Sequence, residues 1–128
     1  MQIQWFPGHM AKTRRLITEN LSLVDLVIEL ADARLPLSSR NPWFDNTFKN
    51  KSRLLVLNKA DMADPKVTAL WIKYYQQQGI KAIETDSRNT KIFDVINRAV
   101  RSSLSGLIEQ REQKGIKGKS LRVMVVGV

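Results

Sequence analysis

The chain has 128 residues, 43% of them hydrophobic, which suffices for one packed domain. Its 21 Lys and Arg residues outnumber the 12 Asp and Glu residues, and the resulting net charge of +9 predicts a polyanionic partner, with nucleic acid first. A solvated basic surface without a partner is the alternative. Because the chain contains no Cys and one His, His9, disulfides, thiolate metal sites and multi-histidine metal sites are excluded. The sequence therefore predicts no metal site within the chain.

The first part of the chain predicts a loop, a helix, a strand and a second helix. Trp5-Phe6-Pro7-Gly8-His9-Met10 is predicted as a shaped loop, since Pro and Gly follow two aromatic residues. Apolar spacing from Ala11 to about Asn20 predicts a short amphipathic helix with a basic flank. The aliphatic segment 24–30 predicts a strand. Asn41 and Pro42 have the residue types of a helix cap and a first helical position, which predicts a short helix towards residue 49.

The middle of the chain carries the clearest strand. Leu54-Leu55-Val56-Leu57 is too short for a helix and wholly apolar, which predicts a strand buried on both faces of a parallel sheet. Asp64-Pro65 repeats the cap signature and begins a helix that Gly79 ends. The apolar face of this helix is predicted from side chains at helical spacing, namely Val67, Leu70, Trp71, and Tyr74 or Tyr75.

The last part of the chain predicts two more strands around a helix. Segment 80–84 is the first of these strands, and a helix follows it with apolar positions at Ile92, Phe93, Ile96, Ala99 and Val100. Segment 109–120 is polar and basic and predicts a mobile connection, and the aliphatic segment 121–128 is the last strand. The alternation of strands and helices predicts an α/β fold, a parallel sheet with flanking helices built from βαβ units.

A polar tetrapeptide follows the buried strand directly. Asn58-Lys59-Ala60-Asp61 has the spacing N-K-x-D and lies where ligands bind in open α/β sheets, at the carboxyl end of a strand. A carboxylate at Asp61 would accept two parallel hydrogen bonds from N1–H and the amine of guanine, whereas adenine offers neither donor. Asn58 would tie neighbouring loops or the base edge, and the Lys59 stem would lie over the base. The alternative is that this tetrapeptide is only a polar turn.

Several motifs of the chain resemble those of circularly permuted GTPases. In ordinary G proteins the phosphate loop precedes N-K-x-D, whereas here the aliphatic strand that ends in Gly127 comes last. Within that group the chain is similar to the ribosome biogenesis GTPase A (YlqF) family. The similarity lies in Trp5-Phe6-Pro7-Gly8-His9-Met10, Asp32-Ala33-Arg34-x-Pro36, Arg40-Asn41-Pro42 and Asn58-Lys59-Ala60-Asp61. It implies a P-loop GTPase-like, circularly permuted parallel sheet that is truncated at the start of the phosphate loop.

The resemblance implies a GTPase that helps the large ribosomal subunit to mature. Its ligands would be GTP and GDP, and its partners the large-subunit precursor and rRNA, not DNA. His9 would be the catalytic group, in place of the glutamine that positions water in other GTPases. The protein is expected to be cytoplasmic and not to associate with membranes, since the first nine residues lack the apolar core of a signal peptide and charged residues interrupt the most apolar stretch, 21–31.

The chain departs from the family pattern in two places. The base-supporting loop usually reads Ser-Ala-x-x-Gly-x-Gly, but 86–92 contains no Gly, so the guanine contacts expected there fall on Asp86 and the Ser87 amide. Of the phosphate loop G-x-x-x-x-G-K-S/T only Gly127 is present. Residues 1–128 are therefore expected to form part of a G domain, with the Mg²⁺ ligands, the rest of that domain and a C-terminal domain beyond them. This fragment alone is expected to bind nucleotide weakly and to be inactive.

The alternative function is a non-enzymatic, basic RNA-binding module. Its phosphate contacts would come from Lys12, Arg14, Arg15 and Arg40, with Lys49, Lys51 and the lysines of the basic connection. For Arg34 and Arg40 the sequence leaves two interpretations equal, a functional contact or a loop ion pair with Asp32 or Asp45. Trp43 and Trp71 are predicted to pack rather than to stack on bases.

Overall fold

A computed structural model of the chain describes residues 1–6, 11–86 and 88–127. Its strands are β1 (Gln2–Phe6), β2 (Leu26–Asp32), β3 (Ser52–Asn58), β4 (Lys81–Glu84) and β5 (Arg122–Gly127). They form a five-stranded sheet in the order β1-β5-β2-β3-β4, and every neighbouring pair is parallel. The predicted α/β fold with a parallel sheet is confirmed.

Five helices connect these strands within the described ranges. They are α1 (Ala11–Asn20), α2 (Trp43–Thr47), α3 (Pro65–Gln77), α4 (Ile92–Ser103) and α5 (Ser105–Gln113). Short 3-10 turns lie at Leu21–Leu23 and Ala60–Met62. Among the described helices none combines the length and the hydropathy needed to cross a membrane.

The central strands of the sheet are buried on both faces. Leu54, Leu55, Val56 and Leu57 of β3 are each at most 1% exposed, as predicted for this strand. On one face Leu54 and Val56 pack with α4 and α5, through a cluster that contains Val100 and Leu104. On the other face β3 and β4 pack against α3, and β2 and β5 pack against α1 and α2. Trp43 and Trp71 are half-buried against these last two clusters, as predicted.

A side chain caps α3 where the sequence predicts it, whereas the predicted start of α2 is displaced by one residue. Asp64 Oδ1 accepts a hydrogen bond of 2.9 Å from the backbone N–H of Lys66, with Pro65 at the first helical position. Asn41 Oδ1 accepts one of 3.0 Å from the backbone N–H of Trp43. Helix α2 begins at Trp43, so Pro42 directly precedes it instead of opening it.

The predicted N-terminal loop is wrong over its first residues, because Trp5 and Phe6 belong to β1. Gln2 to Phe6 pair in parallel with Arg122 to Val126 of β5. Gln2, Ile3 and Gln4 are exposed, which fits the position of β1 at the edge of the described sheet. The rest of the predicted loop, 7–10, lies outside the described residues.

The predicted apolar face of α3 is confirmed only in part, because Trp71 and Tyr75 pack against the sheet but Val67 and Leu70 do not. Thr68 and Tyr75 are buried, whereas Val67, Leu70 and Tyr74 are 46%, 67% and 43% exposed. Helix α3 therefore turns its 68–71–72–75 face to the sheet. In α4 Ala99 and Val100 are buried as predicted, but Phe93 is exposed.

The predicted basic connection at 109–120 begins later than expected. Helix α5 continues to Gln113, and its Leu107 and Ile108 pack against the core cluster beneath α4. Only 114–120 is irregular, and all of its residues are exposed. Apolar residues near the start of α5 hold this segment in a helix, which the polar composition after residue 108 does not indicate.

Candidate functional site

Polar residues gather where the strands β2, β3 and β4 end. Asp32 and Asn58 are register partners at the ends of β2 and β3, and Thr85 follows β4 directly. Gly127, the last residue of β5, pairs with Leu30 of β2. Because the strands are parallel, all of these positions lie at one edge of the sheet, which we call the carboxyl edge.

Hydrogen bonds fix the turn after β3 against its neighbours. Asn58 Oδ1 accepts a hydrogen bond of 3.2 Å from Thr85 Oγ1, and the Asn58 carbonyl accepts one of 2.8 Å from the Ala33 N–H. The Ala60 N–H donates to the Thr85 carbonyl at 3.0 Å. Asn58 therefore ties two loops together, which is one of the two roles predicted for it. Lys59 has a left-handed backbone with φ of 62°, a conformation that non-glycine residues rarely adopt, and its Nζ lies 3.8 Å from Asp32 Oδ2.

Asp61 lies in the turn Ala60–Met62 and contacts an arginine of the next loop. Its Oδ2 is 3.1 Å from Arg88 Nη2, and the Asp61 side chain is 19% exposed. Arg88 also binds Asp86, with Nε 3.2 Å from Oδ1 and Nη2 3.2 Å from Oδ2. A guanidinium presents N–H donors in one plane, as the N1–H and amine edge of guanine does. The Asp61 carboxylate is thus placed to accept donors of this kind.

Arginine partners keep the neighbouring carboxyl groups ionised. Three hydrogen bonds from the Arg34 side chain, the shortest 2.7 Å, lower the pKa of Asp32 to about 2. Hydrogen bonds from the Arg88 side chain lower the pKa of Asp86 below its usual range. At neutral pH both groups are therefore acceptors. The contact between Arg34 and Asp32 is the loop ion pair that was one of the two interpretations of Arg34.

Gly127 is required by the close approach of β5 to β2. Its φ is 104°, and a Cβ added there would overlap the backbone carbonyl oxygen of Leu30. We expect Gly127→Ala to lower the free energy of unfolding by about 1–3 kcal/mol, as measured by urea denaturation. The control is Gly106→Ala in α5, where a Cβ meets nothing within 4 Å and where Ala favours the helix. If the two variants were equally stable, the steric argument would fail.

Three of the predicted RNA contacts are exposed on α1. Lys12, Arg14 and Arg15 lie on its outer side, and Arg15 Nε is 3.8 Å from Glu19 Oε1. The Arg14 guanidinium lies over the Trp43 ring, 5.4 Å from its centroid. These cations are accessible, and whether they bind RNA stays a prediction.

The prediction that Arg40 contacts RNA is wrong. Its side chain is 7% exposed, and its Nη2 lies 2.9 Å from Glu29 Oε2 and 2.7 Å from Asp45 Oδ1. Glu29 is 3% exposed on β2, and Arg53 Nη2 is 3.6 Å from it. The Arg40 guanidinium also lies over the Tyr75 ring at 5.0 Å. We call these residues, Glu29, Arg40, Asp45 and Arg53, the ion cluster; Glu29 and Arg40 are its buried pair, and Asp45 is 52% exposed. The ion cluster corresponds to the ion-pair interpretation of Arg40, because Nε and Nη2 of this buried side chain are already engaged by carboxylates.

Two predicted site residues, His9 and Ser87, lie outside the described residues. Within the described ranges no three His, Cys, Asp or Glu side chains come together in a way that could hold a metal ion.

Comparison with known proteins places the chain in a family. It is 47% identical over 129 residues to ribosome biogenesis GTPase A of Priestia megaterium and 48% identical over 128 residues to that of Bacillus cereus, and each alignment covers all of this chain. The chain belongs to the ribosome biogenesis GTPase A family. It spans 45% and 43% of the length of these two relatives. No protein-family model matches the chain.

A solved structure of the same family has the same fold. The crystal structure of GNP-bound YlqF from T. maritima matches this chain with a TM-score of 0.63 and 30% sequence identity. The match covers 91% of this chain and 42% of the other. The P-loop GTPase-like fold predicted for this member of the ribosome biogenesis GTPase A family is therefore confirmed.

Sequence reasoning gave no binding role to three residues at the carboxyl edge of this family member, although it named Asp32 in a motif and as a possible partner of Arg34. Asp32 is the register partner of Asn58, and the Thr85 hydroxyl donates a hydrogen bond to Asn58. Arg88 forms ion pairs with both Asp61 and Asp86. Asp32 could have been found, because it ends an aliphatic strand just as Asn58 does. Nothing in the sequence pairs Arg88 with Asp61, since they lie on loops that only the sheet brings together.

Proposed function

We propose that this protein binds GTP and GDP at the carboxyl edge, and that the full-length protein hydrolyses GTP while it assists assembly of the large ribosomal subunit in the cytoplasm. The observation that carries the proposal is the Asp61 carboxylate, which the N-K-x-D turn places at the carboxyl edge and whose Oδ2 already lies 3.1 Å from Arg88 Nη2. The printed names of the relatives, ribosome biogenesis GTPase A, support the wider role.

Asp61 would select guanine by its hydrogen-bonding capacity. With guanine bound, its two oxygens accept from N1–H and the amine in place of Arg88. With adenine bound, the carboxylate would lose Arg88 and gain no donor, which is costly for a charged group excluded from water. Asn58 and Thr85 hold the N-K-x-D turn in position at the carboxyl edge. The Lys59 stem covers the plane of the base, and Asp86 and the Ser87 amide make the remaining contacts to the base.

His9 would act on the water that attacks the γ-phosphate, as the family resemblance implies. Support comes from β1, because Phe6 pairs with Val126 and the chain therefore leaves β1 beside Gly127, the proposed first residue of the phosphate loop. His9 follows Phe6 by three positions, a span of at most about 11 Å. A nucleotide whose phosphates lie at Gly127 would therefore be within reach of this histidine.

The described residues suit the base of the nucleotide better than its phosphates or a metal. Their acidic side chains at the carboxyl edge are engaged by Arg34, Lys59 and Arg88 and do not form a cation site. We assign the Mg²⁺ ligands and the phosphate-binding lysine to the half of the relatives' length that this chain does not span. When bound, Mg²⁺ would neutralise charge on the phosphates.

The ribosomal partner would be recognised first by charge. Lys12, Arg14 and Arg15 are exposed on α1, and the net charge of +9 favours a polyanion such as the rRNA of the large-subunit precursor.

Nucleotide competition on the full-length protein tests the proposal. We expect GTP and GDP to displace a fluorescent guanine nucleotide, and ATP to do so at least about 100-fold more weakly, since it leaves the carboxylate unpaired. Equal displacement by ATP would contradict the assignment of Asp61 to the base.

A further inference from the structure

A polar groove lies at the opposite end of the sheet from the carboxyl edge. It has a volume of about 580 Å³ and lies between helices α4 and α5 and the irregular segment 114–120. Met1 and Leu121, which directly precede β1 and β5, belong to its lining, so it opens at the edge where those strands begin. We call it the amino-edge groove.

The lining of the amino-edge groove is rich in uncompensated positive charge. Arg101, Lys117 and Lys119 are exposed there, and none of them forms an ion pair with a described carboxylate. Among the described lining residues the single carboxyl group is that of Glu112. Such an arrangement costs free energy through mutual repulsion, and an anion would relieve that cost.

Arg111 adds a partly paired cation to the lining of this groove. Its Nη2 lies 3.4 Å from Asp25 Oδ1, but its Nη1 is buried without a hydrogen-bond partner in the part of the chain that the structure describes. Buried guanidinium nitrogens normally have an acceptor, because an unpaired charged donor is expensive. Nη1 is closed to solvent, so the exposed cations, and not this nitrogen, would make the contacts of an anion in the groove.

We propose that the amino-edge groove binds the phosphate backbone of single-stranded RNA. Two of its cations, Lys117 and Lys119, follow one another along an exposed connection, which suits a chain of phosphates better than a compact metabolite. The described lining contains no aromatic side chain on which a base could stack, so the contacts would be to phosphates and independent of sequence. Calling this RNA ribosomal rests on the proposed function, whereas the binding itself does not.

The two edges of the sheet would thus serve two ligands. Because guanine nucleotide is assigned to the carboxyl edge and RNA to the amino edge, RNA should bind in the presence or absence of GTP. If the groove does not bind RNA, the nucleotide competition experiment would give the same result. If the carboxyl edge does not bind nucleotide, RNA binding by the groove would be unchanged.

The test measures binding of a fluorescein-labelled 12-nucleotide oligouridylate to the full-length protein between 50 and 200 mM salt. We expect Lys117→Ala/Lys119→Ala to lower affinity about tenfold at 50 mM salt and to reduce the slope of log affinity against log salt by about 1.4, since each lost single-strand phosphate contact removes about 0.7. The matched control is Lys66→Ala/Lys73→Ala, which removes the same charge from exposed positions of α3 and should leave both quantities nearly unchanged.

Three results would overturn the proposal: an unchanged affinity of the groove variant, an equal loss in the control, or displacement of the RNA by polyglutamate at equal charge concentration. The last result would mean that the groove takes acidic protein segments instead. Arg101→Gln provides a second groove variant on a separate element, and it should also weaken binding and lower the salt slope. Thermal unfolding of each variant verifies that these exposed substitutions leave the fold intact.

Discussion

Arg40→Ala is expected to lower the free energy of unfolding by about 3 kcal/mol at pH 7, because it leaves the Glu29 carboxylate buried without its main partner. This value is at the lower end of the range for substitutions that break a buried ion pair, since Arg53 remains 3.6 Å from Glu29. Urea denaturation of the variant and of the unsubstituted chain measures the difference. The contact of Arg40 with the Tyr75 ring would be lost at the same time.

The matched control is Arg34→Ala, which removes the same side chain from an ion pair that solvent reaches. Arg34 is 41% exposed in its pair with Asp32, so we expect a loss of no more than about 1 kcal/mol. If both substitutions cost the same, burial of the ion cluster would not be the source of its contribution.

The cost of Arg40→Ala should also depend on pH. Burial already raises the pKa of Glu29, and removing the hydrogen bonds from Arg40 would raise it further. A carboxyl group whose pKa is higher in the folded state gives stability at low pH that is lost as pH rises through that folded pKa. The variant should therefore be closer to the unsubstituted protein at pH 5 than at pH 7, and a difference independent of pH would contradict this account.

Asp61→Asn in the full-length protein is expected to weaken GTP binding about 100-fold and to strengthen binding of xanthosine triphosphate. The Asn amide brings a donor to face the N1–H and amine of guanine, whereas xanthine presents a carbonyl oxygen where guanine has its amine. Titration with both nucleotides measures the change in preference. Because Asp61 lies in a turn at the sheet edge, we expect the fold to tolerate the substitution.

Asp64→Asn is the control for that substitution. It makes the same chemical change three residues later, and Asn accepts the capping hydrogen bond of Lys66 as well as Asp does. It should leave nucleotide preference unchanged. An unchanged preference in Asp61→Asn would remove this residue from the base site.

The parts of the fold that sequence predicts well are those fixed by local patterns. Four aliphatic residues in a row specify β3, and Asp64-Pro65 specifies the start of α3, because burial on both sides and helix capping each need little else. The N-K-x-D turn follows β3 by sequence alone, so the site of Asn58 and Asp61 at the carboxyl edge was accessible to the same reasoning.

The parts that sequence predicts poorly depend on distant partners. Helix α3 has two candidate faces that are offset by one residue along the chain. The face with Thr68 and Tyr75 is buried, although the face with Val67 and Leu70 is more apolar. Tyr75 lies beneath the Arg40 guanidinium, which makes a partly polar face suitable for burial. Glu29, a charge within an aliphatic strand, was the one sequence signal that a buried cation must lie nearby.

The place of β5 within the sheet bears on how this protein folds as it is synthesised. Strand β5 lies between β1 and β2, and Gln2 pairs with Arg122, 120 positions later. Until residue 127 has left the ribosome, β1 lacks β5, its neighbour in the sheet of the described residues, and the edge of β2 that β5 later covers offers unsatisfied backbone groups to any other strand. Folding of the first hundred residues would therefore end at a three-stranded sheet, and the nascent chain would depend on rapid synthesis or on a chaperone to protect that edge.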